Sequence, residues 1–90
     1  MKSDQKKYLD KVKEYIVSGT VFNGRHFELY GKNISVFLDH SYSPPVFKWG
    51  MTDEFSDIVY NHFGLGISEG EYIWDWYSRY IIEQFLIRRR

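Results

Sequence analysis

An α+β fold is predicted for this chain of 90 residues: a single small domain in the order α-β-β-β-(β)-α-α, with a three- or four-stranded antiparallel sheet packed against helices. The prediction rests on helical spacing of apolar residues over 4–17, two-residue alternation over 20–38, and a return to helical spacing over 52–87. A chain of this length builds one hydrophobic core, so residues 1–90 are expected to form one domain.

The first helix places Leu9, Val12 and Ile16 on one face, and Gly19 follows its last turn. Its lysines fall mostly on the opposite side. Charged residues opposite an apolar stripe are typical of a helix whose outer face is solvated. We therefore expect this helix to bury one face and to expose the other.

The alternating stretch is predicted to form a three-stranded antiparallel meander. An Asn-Gly pair at 23–24 is the usual turn of a tight hairpin, and residues 31–33 supply a second turn. The third strand is expected to continue to Leu38. After a loop that contains two prolines, residues 46–49 are expected to form a short edge strand.

One side of this sheet is expected to be apolar and the other polar, because successive strand residues point to opposite faces. Four residues fall on or near the polar side: His26, Glu28, Tyr30 and Phe37. His26 and Glu28 are conceivable as a metal site or an acid-base pair. A cross-strand polar pair explains the same two residues and is the favoured interpretation.

Two further helices are predicted after the loop. Thr52 is placed to cap the first of these two helices. The buried face of that helix is expected to include His62. Ser68 and Glu71 have the spacing of a capping box, which indicates the start of the last helix. That helix should run to about residue 87.

Composition and charge exclude several classes of protein. Basic and acidic residues number 12 each, so the general attraction of a basic protein to nucleic acid or to an anionic membrane is missing. The chain has no cysteine, which excludes disulfides, a thiol nucleophile and thiolate zinc sites. Its start does not resemble a signal peptide and no apolar run approaches a membrane span, so a cytoplasmic protein is expected.

No enzymatic activity, cofactor or metal site is expected. Catalysis requires groups that converge, and the three histidines, at 26, 40 and 62, do not suggest it. The usual phosphate-binding, dinucleotide-binding, zinc-protease and hydrolase motifs do not occur in the sequence. A binding protein is therefore the favoured class.

Charge is balanced in total but not in position. Residues 49–78 hold six acidic side chains, no lysine and no arginine, and they are rich in aromatic residues. Asp53, Asp57 and Tyr60 fall at helical spacing on the outer face of the second helix, where they are candidates for binding lysine or arginine of another protein. Acidic residues also suit the start of a helix without any partner, so both explanations stay open.

The last helix is more apolar than a simple surface helix. Trp74, Ile81 and Phe85 recur on a second apolar face. Either another helix of the chain covers this face, or the face forms a partner or homodimer contact, in which tryptophan contributes strongly. These three residues are the second set of candidate binding residues.

A nucleic-acid-binding accessory protein is the alternative interpretation. Aromatic side chains on a sheet can stack on bases, and basic side chains can contact phosphates. The residues that would serve are Arg25, Tyr30, Arg88, Arg89 and Arg90. Cations at the end of a helix also suit the helix dipole, so nucleic acid is a less expected partner than protein.

The α-β-β-β-α beginning resembles double-stranded RNA-binding domains, whose second helix presents lysines to phosphates. Here that helix carries Asp53, Glu54 and Asp57, which argues against RNA binding. The order of elements, the size and the acidic, aromatic half are also similar to small phage-encoded inhibitors of nucleic-acid-handling host proteins, anti-CRISPR proteins among them. This resemblance implies a non-enzymatic inhibitor, encoded by a phage or mobile element, that blocks a host protein through an acidic, aromatic helical surface.

Overall fold

The computed structural model describes residues 3–23, 26–34, 37–43, 45–48 and 50–88. Three helical segments and two small antiparallel sheets make up this part of the chain. The predicted α+β class is confirmed. None of the described helices is both long enough and apolar enough to cross a membrane.

The chain begins and ends with helices, and the five strands come between them. The elements are α1 (Ser3–Ser18), β1 (Thr20–Asn23), β2 (His26–Leu29), β3 (Lys32–Ile34), β4 (Leu38–Asp39), β5 (Val46–Phe47), α2 (Asp53–Ser56) with a π-helical continuation (Asp57–His62), and α3 (Ile67–Arg88).

The two sheets are separate, with strand orders β1-β2-β3 and β4-β5. β3 ends at Ile34, and Leu38, which we expected at the end of that strand, instead pairs with Phe47 in the second sheet. The predicted edge strand therefore joins Leu38 and not the meander; its last residue, Trp49, lies outside the described residues. Alternation alone does not specify which strand is the neighbour, because pairing depends on contacts distant in sequence.

The second turn of the meander comes earlier than we expected. Leu29 pairs with Lys32. Tyr30 and Gly31 are left as a two-residue turn, with positive φ angles of 51° and 82°. Left-handed backbone is uncommon for tyrosine, but here the ring stacks on Tyr15 of α1, 4.6 Å between centroids, and the hydroxyl donates to the Tyr15 carbonyl at 2.5 Å. Tyr30 therefore packs on α1 and does not lie on the polar side of the sheet.

One cluster of buried apolar side chains draws on every helix and on the three-stranded sheet. Tyr77 of α3 is its largest member and is 1% exposed. Its ring stacks on Phe55 of α2 and meets Phe27 of β2 edge-on. The other fully buried members are Val12, Ile16, Leu29, Ile34, Val59, Ile73 and Ile81.

Thr52 caps α2 as predicted: its hydroxyl accepts a hydrogen bond from the amide of Phe55 at 3.3 Å. After α2 the helix widens to a π-helix, and the amide of Phe63 bonds to the carbonyl of Ile58 at 3.0 Å. The extra residue in each turn rotates later side chains relative to an α-helix. His62, which we expected on the buried face, is therefore exposed and stacks on a tyrosine of α1.

α3 begins at Ile67, so Ser68 lies inside its first turn and not at its cap. Gly66 precedes the helix, and its carbonyl accepts a hydrogen bond from the amide four residues further on. A Cβ atom on Gly66 would lie 2.8 Å from Oε1 of Glu69, so the carboxylate that folds back over the helix start is Glu69 and not Glu71. The predicted capping box is wrong in register, because a glycine without a side chain occupies the cap and leaves room for this carboxylate.

Replacing Ser68 with alanine is expected to change the free energy of unfolding by less than about 0.5 kcal/mol, as at an ordinary exposed position. Replacing Thr52 with alanine removes the hydrogen bond that caps α2 and should lower the free energy of unfolding by about 1 kcal/mol. Urea unfolding of the two variants measures both effects. A Ser68 variant that is destabilised as much as the Thr52 variant would contradict the observed start of α3.

Candidate protein-binding groove

A groove of about 610 Å³ runs between the β4–β5 hairpin and α3. Its apolar lining comes from two distant parts of the chain: Pro45, Val46 and Phe47 from the hairpin, and Trp74, Ile82 and Leu86 from α3. A concave, mostly apolar volume of this size is typical of a binding site.

A single line of side chains on α3 forms one wall of the groove. Its members are Trp74, Ser78, Ile82 and Leu86. Residues four apart lie on the same face of a helix, so these four side chains follow one another along the groove. At a rise of about 1.5 Å per residue the wall is about 18 Å long.

Two aromatic rings pack against Trp74. Its ring centroid lies 4.9 Å from that of Phe55 in α2 and 5.6 Å from that of Phe47 in β5. Trp74 nevertheless stays half-buried, because part of its surface lines the groove. A tryptophan fixed in this way loses little side-chain freedom on binding, which is one reason that tryptophan is common in binding hot spots.

Among the described residues, two exposed apolar side chains line the groove, one on each wall. Val46 of the hairpin is 42% exposed and Leu86 of α3 is 41% exposed. Together with the half-buried Trp74 they leave apolar surface open to solvent along the groove. Contiguous exposed apolar surface is typical of a place where another molecule binds.

Polar and charged side chains stand along the rim. Arg79 Nη2 lies 3.2 Å from Asp75 Oδ2, and this ion pair is exposed. The hydroxyl of Ser78 donates to the carbonyl of Asp75 at 2.9 Å. Glu83 forms no ion pair with any residue that the structure describes. Two carboxylates and one guanidinium give the rim a formal charge of −1.

The predicted acidic residues Asp53 and Asp57 do not line the groove. Both are exposed and form no ion pair within the described residues. Asp57 accepts a hydrogen bond from the side-chain amide of Asn61 at 2.7 Å. Phe55, which contacts Trp74, lies two residues from each aspartate and is buried, so the two carboxylates are on the other side of their helix from the groove.

Tyr60 does not continue the acidic stripe as predicted. It is half-buried, and its ring packs over Gly70 in α3, where a Cβ atom would lie 2.4 Å from Tyr60 Cε1. The π-helix is the reason: its wider turn moves Tyr60 away from the line of Asp53 and Asp57 and towards α3. Spacing that assumes an α-helix does not hold across this segment.

The second predicted set of binding residues is corrected by the packing of α3. Ile81 is 0% exposed and belongs to the core. The ring of Phe85 lies 5.8 Å from Phe22 and 6.1 Å from Phe27, so Phe85 packs on the sheet. Of the three predicted residues, Trp74 alone lines the groove. Of the two explanations left open, cover from within the chain therefore holds for Ile81 and Phe85, and Trp74 is covered only in part, by one aromatic ring of α2 and one of β5.

Part of the groove could not be predicted from the sequence. The four-residue spacing from Trp74 to Leu86 is present in the chain, but Ser78 interrupts its apolar pattern. The contribution of residues 45–47 has no local signal, because only the tertiary fold brings the hairpin against α3.

Of the five residues predicted for nucleic-acid binding, the structure describes the side chain of Tyr30 alone, which packs on α1. Arg25, Arg89 and Arg90 lie outside the described residues, as does the side chain of Arg88. The prediction for the four arginines therefore stays a prediction.

Among the described residues, the polar side of the three-stranded sheet carries His26 but no phenylalanine, tyrosine or tryptophan. Val21, Glu28 and Asn33 lie side by side across its strands. Phe37, which we expected near this side, lies beyond β3, where its carbonyl accepts a hydrogen bond next to β5. His26 shares the strand face of Glu28, but the described residues contain no group of three or more His, Asp or Glu that could hold a metal ion.

Comparison of the chain with protein-family models, with curated proteins and with solved structures gives no match. A proposal for function therefore depends on the chemistry of the groove and on the charges beside it.

Proposed function

We propose that the protein is a small, non-enzymatic binding module whose groove between β5 and α3 takes an apolar segment of a basic protein. The observation that carries the proposal is the exposed apolar lining: Val46 and Leu86 are open to solvent on opposite walls. Covering apolar surface stabilises a complex by about 25 cal/mol for each Å² removed from water. A partner that inserts between the two walls covers both side chains at once.

The polar groups of the groove support binding more than catalysis. The hydroxyl of Ser78 is bonded within its own helix, and Asp75 is paired with Arg79. Catalysis needs a nucleophile, a base and a stabilising donor within mutual reach. The described rim residues are instead arranged as an exposed polar border around an apolar strip, which is the usual anatomy of a protein interface.

Charge favours a basic partner. The rim carries a formal charge of −1. Elsewhere on the surface, Asp53 and Asp57 are exposed and form no ion pairs in the described chain. Opposite charges accelerate the encounter of two proteins. Proteins that handle nucleic acids present lysine and arginine to phosphates. We therefore propose a nucleic-acid-handling host protein as the partner, and the role of an anti-defence inhibitor of the anti-CRISPR type, encoded by a phage or mobile element and acting in the cytoplasm.

The groove is tested by placing a charge inside it. A photo-crosslinking amino acid at position 86 identifies the partner, which is then purified for titration calorimetry. Val46→Glu and Leu86→Glu are each expected to weaken binding at least about tenfold, because an unpaired carboxylate buried in an apolar contact costs more than the roughly 1.4 kcal/mol that tenfold represents.

Ile67→Glu is the matched control for both groove variants. Ile67 is 73% exposed on the same helix but does not line the groove. This variant is expected to bind the purified partner as tightly as the wild type. If Val46→Glu and Leu86→Glu also bind like the wild type, the groove is not the docking site and the proposal is wrong.

Replacing Asp53 and Asp57 together with lysine is expected to slow association with the partner about tenfold at low ionic strength, and by less as salt is added. Both side chains are exposed, so the fold should be kept, with a loss of about 1 kcal/mol in the free energy of unfolding from the charges at the helix start. Stopped-flow fluorescence measures the rate. The control replaces Asp10 and Glu14, exposed acidic residues of α1, with lysine.

The same double variant separates protein binding from nucleic-acid binding. Lysines in place of Asp53 and Asp57 remove repulsion from phosphates, so a nucleic-acid-binding protein would bind random-sequence DNA or RNA more tightly after the change. A protein-binding module would lose its partner instead. Tight nucleic-acid binding by the wild type that is strengthened in the variant would overturn the proposal.

A further inference from the structure

We infer that the groove takes its ligand as an extended segment, which adds a third strand to the β4–β5 hairpin along the free edge of β5. The inference rests on the proposed function, because it concerns the same groove, and it adds the conformation and the side-chain pattern of the segment that binds there. Adding a strand to an exposed sheet edge is a common way for one protein to bind a segment of another.

The groove follows the free edge of β5. Val46 and Phe47 both line it, although successive side chains of a strand point to opposite faces. A groove over one face of the hairpin would be lined by only one of these two side chains. Leu38 and Asp39 of β4 do not line the groove. It therefore lies on the side of β5 that is away from β4.

The backbone N–H and C=O of Phe47 point towards this edge. Phe47 pairs with Leu38, and the amide of Lys48 donates to the carbonyl of Phe37 at 2.8 Å. Hydrogen-bonded and non-hydrogen-bonded pairs alternate along antiparallel strands, so a bond between the flanking residues makes Phe47 and Leu38 a non-hydrogen-bonded pair. The N–H and C=O of Phe47 then point away from β4, and no residue that the structure describes bonds to them.

The edge that can pair is short. Pro45 has no N–H, and the N–H of Lys48 is already bonded across the hairpin. Val46, in the neighbouring pair, has its N–H and C=O turned towards β4. Within residues 45–48, Phe47 is thus the one donor at the edge. Proline on an edge strand limits unspecific pairing with other chains, so side chains must contribute to the choice of ligand.

The wall on α3 sets the side-chain pattern of the added strand. The ring of Phe47 faces α3, since its centroid lies 5.6 Å from that of Trp74. A residue paired with Phe47 has its side chain on the same face, as do the residues two places before and after it. These side chains meet the apolar line that includes Ile82 and Leu86. Apolar residues at every second position, with lysine or arginine between them, fit this wall and the formal charge of −1 at the rim.

A synthetic peptide of seven residues, with lysine and valine alternating and lysine at both blocked ends, is the probe for this edge. It is expected to bind with a dissociation constant of about 1 mM or below, the weak end of the affinity scale. At about ten times that constant it should slow hydrogen exchange of the Phe47 amide about tenfold, because only about a tenth of the protein then stays unbound.

Two other amides are controls in the same exchange experiment, which is followed by nuclear magnetic resonance. The amide of Val46 is already bonded to β4, so its exchange should not change. Asn33 lies in β3, at the edge of the other sheet, and does not line the groove. Its amide should also exchange as before. A peptide that slows the Asn33 amide as much as the Phe47 amide pairs with sheet edges indiscriminately, which would overturn the inference.

Two methylated forms of the peptide distinguish a strand from any other bound shape. If a valine pairs with Phe47, all the valine N–H groups lie on the edge that faces β5. N-methylation of the valine amides should therefore weaken binding at least about tenfold, since it removes the donors and blocks that edge. N-methylation of the lysine amides changes only the outer edge and is the matched control, with affinity expected within about twofold of the unmodified peptide. Equal effects of the two modifications would contradict the added strand.

The inference and the proposed function fail separately. A peptide that does not bind, or that leaves exchange of the Phe47 amide unchanged, shows that no strand is added to β5. If Val46→Glu and Leu86→Glu still weaken binding of the purified partner, the groove remains the docking site and only the inference is wrong. If the peptide adds its strand but those two variants bind the partner as tightly as the wild type, the edge pairs as inferred and the proposed function is wrong.

Discussion

Replacing Tyr77 with alanine is expected to lower the free energy of unfolding by about 3–5 kcal/mol. Tyr77 is 1% exposed, and its ring centroid lies 4.9 Å from that of Phe55, 6.0 Å from that of Phe27 and 6.4 Å from that of Trp74. It therefore links α2, the three-stranded sheet and α3. Small domains have a total stability of about 5–15 kcal/mol, so this one change removes a large part of it.

Urea unfolding followed by circular dichroism measures the Tyr77 effect, with Tyr77→Phe as the matched control. The Thr20 hydroxyl donates to the Ile16 carbonyl at 2.8 Å, so the Tyr77 hydroxyl donates to Thr20 Oγ1, also at 2.8 Å. Phenylalanine removes this bond and keeps the ring, which should cost only about 0.5–1.5 kcal/mol. An alanine variant no less stable than the phenylalanine variant would show that the ring does not hold the core together.

The stabilities of the wild type and of Tyr77→Phe should also differ in their dependence on alkaline pH. Burial raises the pKa of Tyr77 above its usual value. In the unfolded chain the phenol of tyrosine has a pKa of about 10, and below that pH Tyr77 is neutral in both states, so the free energy of unfolding does not change with its ionisation. Above that pH, unfolding allows the phenol to ionise, so the free energy of unfolding falls as pH rises. The wild type should therefore lose stability more steeply than Tyr77→Phe above about pH 10.

Replacing Gly70 with alanine is expected to destabilise the protein by about 1–3 kcal/mol, the usual cost of adding a methyl group where there is no space. Helix propensity alone favours the opposite, because alanine is better than glycine inside a helix by about 1 kcal/mol. In the structure an added Cβ would lie 2.4 Å from Cε1 and 2.5 Å from the hydroxyl oxygen of Tyr60. The ring would have to leave the contact that holds the π-helical segment against α3.

A double-mutant cycle tests this contact. In a Tyr60→Ala background the obstructing ring is gone, so Gly70→Ala is expected to be neutral or stabilising there. The difference between the two backgrounds measures the coupling of the two residues. If Gly70→Ala stabilises the wild type as helix propensity predicts, the packing of Tyr60 over α3 is not as described.

Local signals predicted the helices well, although the Ser68–Glu71 spacing that predicted α3 placed its cap at the wrong residue. α1 carries its apolar face at regular spacing, and Thr52 caps α2 through a hydrogen bond that spans three residues. The strands β1 and β2 follow from alternation. These features depend on neighbours along the chain, which are present in the sequence itself.

Predictions failed where an element depends on contacts from elsewhere in the chain. The turn at Tyr30 is held by stacking on Tyr15, and the start of α3 has Gly66 before it where a capping serine was expected. The π-helix after α2 turns His62 outward and Tyr60 towards α3. No periodic pattern of residues in the sequence indicates any of these three features.

In the candidate site, too, some residues were predicted from the sequence and others were excluded only by the packing. Asp53 and Asp57 are exposed, and Trp74 lines the groove, and all three were singled out from sequence. Ile81 and Phe85 were grouped with Trp74 by their spacing, but Ile81 belongs to the core and Phe85 packs on the sheet. Spacing shows which residues share a face and does not show what packs on that face.

The sequence by itself determined the α+β class, the order of helices and strands and the acidic, aromatic character of the second half, because these depend on composition and on short-range periodicity. The tertiary structure alone decided that Leu38 leaves the meander to pair with Phe47, and that this hairpin lies against Trp74 to form a groove. Such contacts join residues far apart in the chain. Their free energy comes from burial between surfaces that exist only after folding.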